Sequence, residues 1–147
     1  MGSALASFSG DGYPLLSPEG DRTLLVKTDL TGLTAAQGFI IQGDVLGDQT
    51  GFSVSSAGDV NGDGYSDILI GASKNADAGL KAGKTYLILG RETADWGMGY
   101  PLAQADASFL GEAEGDQAGR RASGAGDANA DGLADLLIGA PHNNRGG

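Results

Sequence analysis

The chain repeats itself. Shifted by 68 positions, residues 43–79 match residues 111–147 at 19 of 37 positions. Chance does not give that agreement, so whatever the first copy folds into, the second copy folds into as well. A repeated unit of this size buries its apolar face on its neighbour rather than alone. The repeat therefore excludes a single idiosyncratic core and points to stacked or radial units.

One unit reads as strands. Phe52 to Ala57 alternates Phe, Val and Ala with Ser, a period of two. Asp67 to Ala72 is a short apolar run, and Lys84 to Gly90 holds Thr-Tyr-Leu-Ile-Leu. Ala107 to Gly111 is a weaker fourth candidate, and Gly and Asp fill the gaps as turns require. Four short strands per unit is what a propeller blade needs. Residues 120–140 give the first two strands of the next unit, and Leu24 to Lys27 with Gly38 to Gln42 read as the last two of an earlier one.

The expected fold is all-β, a partial β-propeller of four-stranded antiparallel blades, with about two blades cut at both ends. Residues 1–36 form a poorly patterned segment with part of a preceding blade. Residues 37–111 form a blade with its lead-in strand, and residues 112–147 the first half of the next. Two blades leave unpaired edges, so further blades in a longer chain are the expected partners. Closure as a small homo-oligomeric ring is the less favoured alternative.

Charge narrows the function. The chain has 19 acidic and 9 basic residues, a formal net charge of −10. A nucleic-acid binder needs the opposite sign. The longest apolar runs fall far short of the ~20 residues of a membrane helix, so this segment is not expected to insert. The absence of cysteine removes disulfides, thiolate metal sites and cysteine nucleophiles. Cations are the natural partners.

Two loops carry the chemistry. Asp59-Val60-Asn61-Gly62-Asp63-Gly64-Tyr65-Ser66-Asp67 recurs as Asp127-Ala128-Asn129-Ala130-Asp131-Gly132-Leu133-Ala134-Asp135. Side-chain oxygens fall at loop positions 1, 3, 5 and 9, and a glycine at position 6 permits the sharp turn. The position-7 residues, Tyr65 and Leu133, offer backbone carbonyls. Ca²⁺ takes six to eight oxygens at about 2.3–2.6 Å, so two Ca²⁺ sites are expected. One comprises Asp59, Asn61, Asp63, Tyr65 and Asp67, the other Asp127, Asn129, Asp131, Leu133 and Asp135. Mg²⁺ suits the set less well, and no His or Cys in either loop invites a transition metal. An EF-hand needs an acid at position 12, where Ile70 and Ile138 stand. The rival reading is a pair of Asp/Asn-rich turns that bind nothing.

In this combination the chain resembles the FG-GAP repeat family, the blades of integrin alpha-subunit propellers and of many bacterial surface proteins. Gly51-Phe52 stands near the FG position. Gly71-Ala72-Ser73 and Gly139-Ala140-Pro141 stand at the GAP position, with the acidic loop between. The resemblance covers roughly residues 37–147 and implies a seven-bladed propeller whose calcium is structural. Arg120 departs from the FG pattern, and Ser73 from the GAP pattern. The function it implies is a calcium-binding module in extracellular or cell-surface recognition and adhesion, not an enzyme, with an extracellular protein or glycan as ligand. A carbohydrate-binding propeller and a non-catalytic portion of a secreted hydrolase are the alternatives.

Weaker signals remain. Ala78 to Thr85 nearly spells a phosphate loop, but its Lys-Thr opens a strand where a helix is needed. His142 is the single histidine, without a Ser or Cys arranged for it. Trp96, Met98 and Tyr100 could offer an aromatic platform to a sugar, although such residues more often cap a blade edge.

Overall fold

The computed structural model describes residues 5–6, 26–27, 39–92 and 99–144. Among these described residues the regular structure is ten strands and one short 3₁₀ turn. Strand β1 is Leu5–Ala6 and β2 is Val26–Lys27, an antiparallel pair. Strand β3 is Ile40–Gln42. Then come β4 (Thr50–Gly58), β5 (Asp67–Ala72) and β6 (Lys84–Ile88). Strand β7 is Gly99–Pro101, followed by the 3₁₀ turn Leu102–Gln104 and β8 (Ala107–Leu110). The last pair is β9 (Arg121–Gly126) and β10 (Asp135–Gly139).

The expected blade is present. Strands β4-β5-β6-β8 form one antiparallel four-stranded sheet in that order. Strands β9 and β10 repeat the first hairpin of the blade in antiparallel register, Ile138 opposite Ala122 as Ile70 is opposite Val54. The fold is all-β with almost no helix, as partial propeller blades require. Of the two strands expected for an earlier blade, Leu24 to Lys27 and Gly38 to Gln42, residues 24, 25 and 38 lie outside the described ones. Within them, β2 pairs with β1, and β3 pairs in parallel with β7.

Alternation places the core on both sides of the blade. On one face Ile70, Ala72, Tyr86 and Ile88 pack with Tyr100 and Leu102, and Phe39 and Ile41 lie against them. On the other, Ala57, Leu69 and Leu87 meet Ala122 and Leu136 of the second unit. That second contact is the unit–unit junction. Ser53 Oγ donates to the Gly119 carbonyl and Ser55 Oγ to the Ala122 carbonyl, each at 2.9 Å. The amides of Gly115, Gln117 and Ala118 donate to the carbonyls of Leu80, Lys81 and Ala82. Glycine is required at position 71, since a Cβ there would stand 1.9 Å from the Gly119 carbonyl oxygen. The Gly71 end of β5 is thus part of the surface on which the second unit lands.

Candidate metal centre

Both acidic loops connect the first two strands of their units, Asp59–Ser66 between β4 and β5 and Asp127–Ala134 between β9 and β10. In the first, Asp59 wraps three amides. Its Oδ1 accepts from Gly62 N at 2.7 Å and Asp63 N at 3.1 Å, and its Oδ2 accepts from Gly64 N at 2.8 Å. Asn61 Oδ1 also accepts from Asp63 N, at 3.0 Å, and Asn61 Nδ2 donates to Asp63 Oδ2 at 2.8 Å. Asp63 Oδ1 accepts from Tyr65 N at 2.9 Å. The amide of Gly64, with help from Gly62, Asp63 and Asn61, holds the Asp59 carboxyl below its ordinary value.

The second loop repeats this pattern atom for atom in most of its bonds. Asp127 accepts from Asp131 N at 3.0 Å and Gly132 N at 3.0 Å. Asn129 Oδ1 accepts from Asp131 N at 2.8 Å, and Asp131 Oδ1 from Leu133 N at 2.9 Å. Each loop needs a left-handed residue at position 4. Gly62 takes it at φ 77°, and Ala130 takes it at φ 63° despite its methyl group.

The ninth residue of each loop is the hinge to the sheet. Asp67 is buried, 1% exposed, and bridges two segments, with Oδ2 on Val60 N at 2.8 Å and Oδ1 on Gly90 N at 2.7 Å. Asp135 is half-buried. Its Oδ2 accepts from Ala128 N at 2.8 Å, and its Oδ1 from Asn129 Nδ2 at a long 3.4 Å.

The structure therefore brings Asp59, Asn61 and Asp63 together around one amide, as it does Asp127, Asn129 and Asp131. Tyr65 and Leu133 lie on the exposed turns beside them. Among the described residues no three acidic or histidine side chains gather as a metal-holding group; the loop carboxylates are turned onto backbone N–H groups. The donor set still fits a hard cation. It is all oxygen, it is solvent-accessible except at the buried Asp67, and a carboxylate carries about four lone-pair sites, more than its amides occupy. Among the described residues no Lys or Arg is ion-paired to either loop; the ion pairs there are Lys84–Asp77 and Arg91–Asp106.

The loops also touch. Ala134 N donates to the Asp59 carbonyl at 2.9 Å, and a Cβ on Gly62 would stand 3.1 Å from Leu133 Cδ2. The two turns thus form one continuous feature of the surface.

Two supporting pairs escaped the sequence reading. Asn75 Nδ2 donates to Asp48 Oδ2 at 2.6 Å, with both residues buried. In the second unit Asn143 Nδ2 donates to Asp116 Oδ2 at 3.2 Å. All four are identities of the 68-residue repeat, so the signal was present, but nothing in the sequence said that the partners meet. Ser73, the departure from the GAP pattern, is buried and donates to Gln49 Oε1 at 3.2 Å.

The FG-GAP repeat family model matches residues 50–87 and 119–147. The chain carries FG-GAP repeats. Both matched segments contain an acidic loop. Among curated proteins the chain is similar to integrin alpha-6 of Homo sapiens, 27% identical over 123 residues, 84% of this chain and 10% of that protein. It is also similar to integrin alpha pat-2 of Caenorhabditis briggsae, 32% identical over 103 residues, 68% of this chain and 8% of that protein. The chain thus spans about a tenth or less of the relatives it matches, and what it shares with them is an integrin-like propeller module.

The remaining signals resolve plainly. Residues 78–83 lead into β6, whose first residue, Lys84, has its Nζ 2.8 Å from Asp77. His142 is exposed and faces Arg120 at 3.3 Å. Arg120, at the second FG position, stands 5.9 Å from the Phe52 ring centroid. Tyr100 is a core residue, while Trp96 and Met98 lie outside the described residues. No helix among the described residues is long and apolar enough to cross a membrane.

Proposed function

We propose that this FG-GAP segment is a calcium-stabilised, non-catalytic recognition module of an extracellular or cell-surface protein, with a protein ligand met by the assembled propeller. One observation carries the reading. Two nine-residue loops present the same oxygen-rich arrangement at the same place in successive repeats, and among the described residues no side-chain cation is ion-paired to either. Asp59, Asn61, Asp63, Tyr65 and Asp67 would hold one Ca²⁺, and Asp127, Asn129, Asp131, Leu133 and Asp135 the other. The ion would supply charge neutralisation. The chain's own residues do the rest: Asp67 ties the loop to the blade, and the Ala134–Asp59 bond ties loop to loop. The burial of Tyr100 takes one aromatic away from a sugar platform, so the lectin reading has less support.

The experiment is a thermal melt in millimolar calcium against chelator, repeated with the double variant Asp63→Ala/Asp131→Ala. An ion binding only the folded state at 100 times its dissociation constant adds about 2.7 kcal/mol per site. The melting temperature is expected to rise with calcium in the wild type and not in the variant. A cooperative wild-type melt indifferent to calcium would overturn the proposal.

A further inference from the structure

Asn61-Gly62 is the single Asn-Gly step in the chain, and the corresponding step of the second loop is Asn129-Ala130. An Asn followed by Gly is chemically labile, because no Cβ shields the next amide nitrogen from the side-chain carbonyl carbon. Both residues are exposed, so water and hydroxide reach them. The folded loop nevertheless engages both reacting groups in other hydrogen bonds. The Gly62 N–H is donated to Asp59 Oδ1 at 2.7 Å, and the Asn61 amide is pinned at both ends on Asp63, at 3.0 and 2.8 Å.

We propose that Asn61 is a spontaneous deamidation site gated by closure of the loop, with Asp59 as the gate through its hold on the Gly62 amide. When the loop opens, base removes the Gly62 N–H proton and the nitrogen attacks Asn61 Cγ. The N–Cγ bond forms, the Cγ–Nδ2 bond breaks, and Nδ2 leaves as ammonia with the proton returned by solvent. Water then opens the five-membered imide. Cleavage at Cγ leaves aspartate, and cleavage at the Asn61 backbone carbonyl leaves isoaspartate, with the main chain rerouted through Cβ and Cγ. No oxidant or cofactor is required. Isoaspartate lengthens the backbone of a loop whose turn depends on the register of successive amides, so the modification would unmake the arrangement that had protected it. The second loop is slower to react, because the Ala130 methyl group hinders its amide.

The test is peptide mapping by mass spectrometry of the full chain held at mildly alkaline pH, folded and in urea. Conversion at Asn61 is expected in urea, with Asn129 lagging. In the folded protein it should be at least about tenfold slower, the factor set by about 1.4 kcal/mol of loop-opening free energy. Asp59→Ala is expected to bring the folded rate toward that in urea. If that variant does not fold, the wild-type comparison decides alone. A folded rate equal to or above the rate in urea, or no conversion in urea, overturns the proposal. Calcium enters as a separate arm resting on the proposed function. If chelation accelerates conversion, both readings gain. If it does not, the calcium reading loses, while the contrast between folded protein and urea still decides this one.

Discussion

Asp67 and Asp135 occupy the same place in the repeat, follow the same loop and open the same kind of strand, yet only Asp67 is buried. The difference comes from what stands beside them. Strand β5 lies between β4 and β6, and Asp67 reaches across to the Gly90 amide just past β6. Strand β10 has a single partner among the described residues, β9, and Asp135 turns back onto its own loop. Loop shape is thus local, whereas loop anchorage belongs to the sheet. Residues three to five positions on suffice to wrap the Asp59 carboxylate round three amides, but the buried, bridging role needs a third strand.

The sharpest way to break this comparison is at the GAP glycines. Gly71→Ala drives a methyl group into the Gly119 carbonyl, whereas at Gly139 the same methyl group meets nothing nearer than the Arg121 carbonyl at 3.5 Å. Gly71→Ala is expected to cost about 3 kcal/mol or more by overpacking against backbone. Gly139→Ala should stay within about 0.5 kcal/mol. Urea denaturation of both variants checks this; equal costs would mean that the junction does not bear on stability.

Next come the hinge aspartates, compared in chelator so that only hydrogen bonds count. Asp67→Ala strands the Val60 and Gly90 amides and should cost about 2–3 kcal/mol, against about 1 kcal/mol for Asp135→Ala. A larger loss at Asp135 would invert the assignment of anchorage to the sheet.

The smallest effect lies at loop position 4, where the two units differ in sequence but not in shape. Gly62→Ala should destabilise by about 1–2 kcal/mol and Ala130→Gly should stabilise by about 1 kcal/mol, since a left-handed backbone disfavours a side chain. Melting temperatures that moved in the same direction for both would show that the two loops do not share one backbone.

Much of this was legible in the sequence. The repeat set the unit, and the alternation from Phe52 to Ala57 and the run from Asp67 to Ala72 located β4 and β5 to within two residues. What could not be read depended on partners distant in the chain. The parallel pairing of β3 with β7 joins three-residue segments separated by some sixty residues, too short to carry a periodic pattern. Tyr100, weighed in the sequence as a sugar platform against a blade-edge cap, is buried by residues from β5, β6 and the 3₁₀ turn, and nothing in its local sequence names those distant partners. The loop residues were named from spacing alone, but spacing could not say that their oxygens would share the Asp63 and Asp131 amides, or that Asp67 would span to Gly90.

The hydrogen bond from Ala134 to the Asp59 carbonyl gives the rim a property that neither loop has alone. Fixing the first turn fixes an acceptor that the second turn uses, so part of the conformational entropy lost on ordering one is shared with the other. Repeated from unit to unit, such a bond makes the loops a one-dimensional array with nearest-neighbour coupling, in which order spreads along the edge instead of being established site by site.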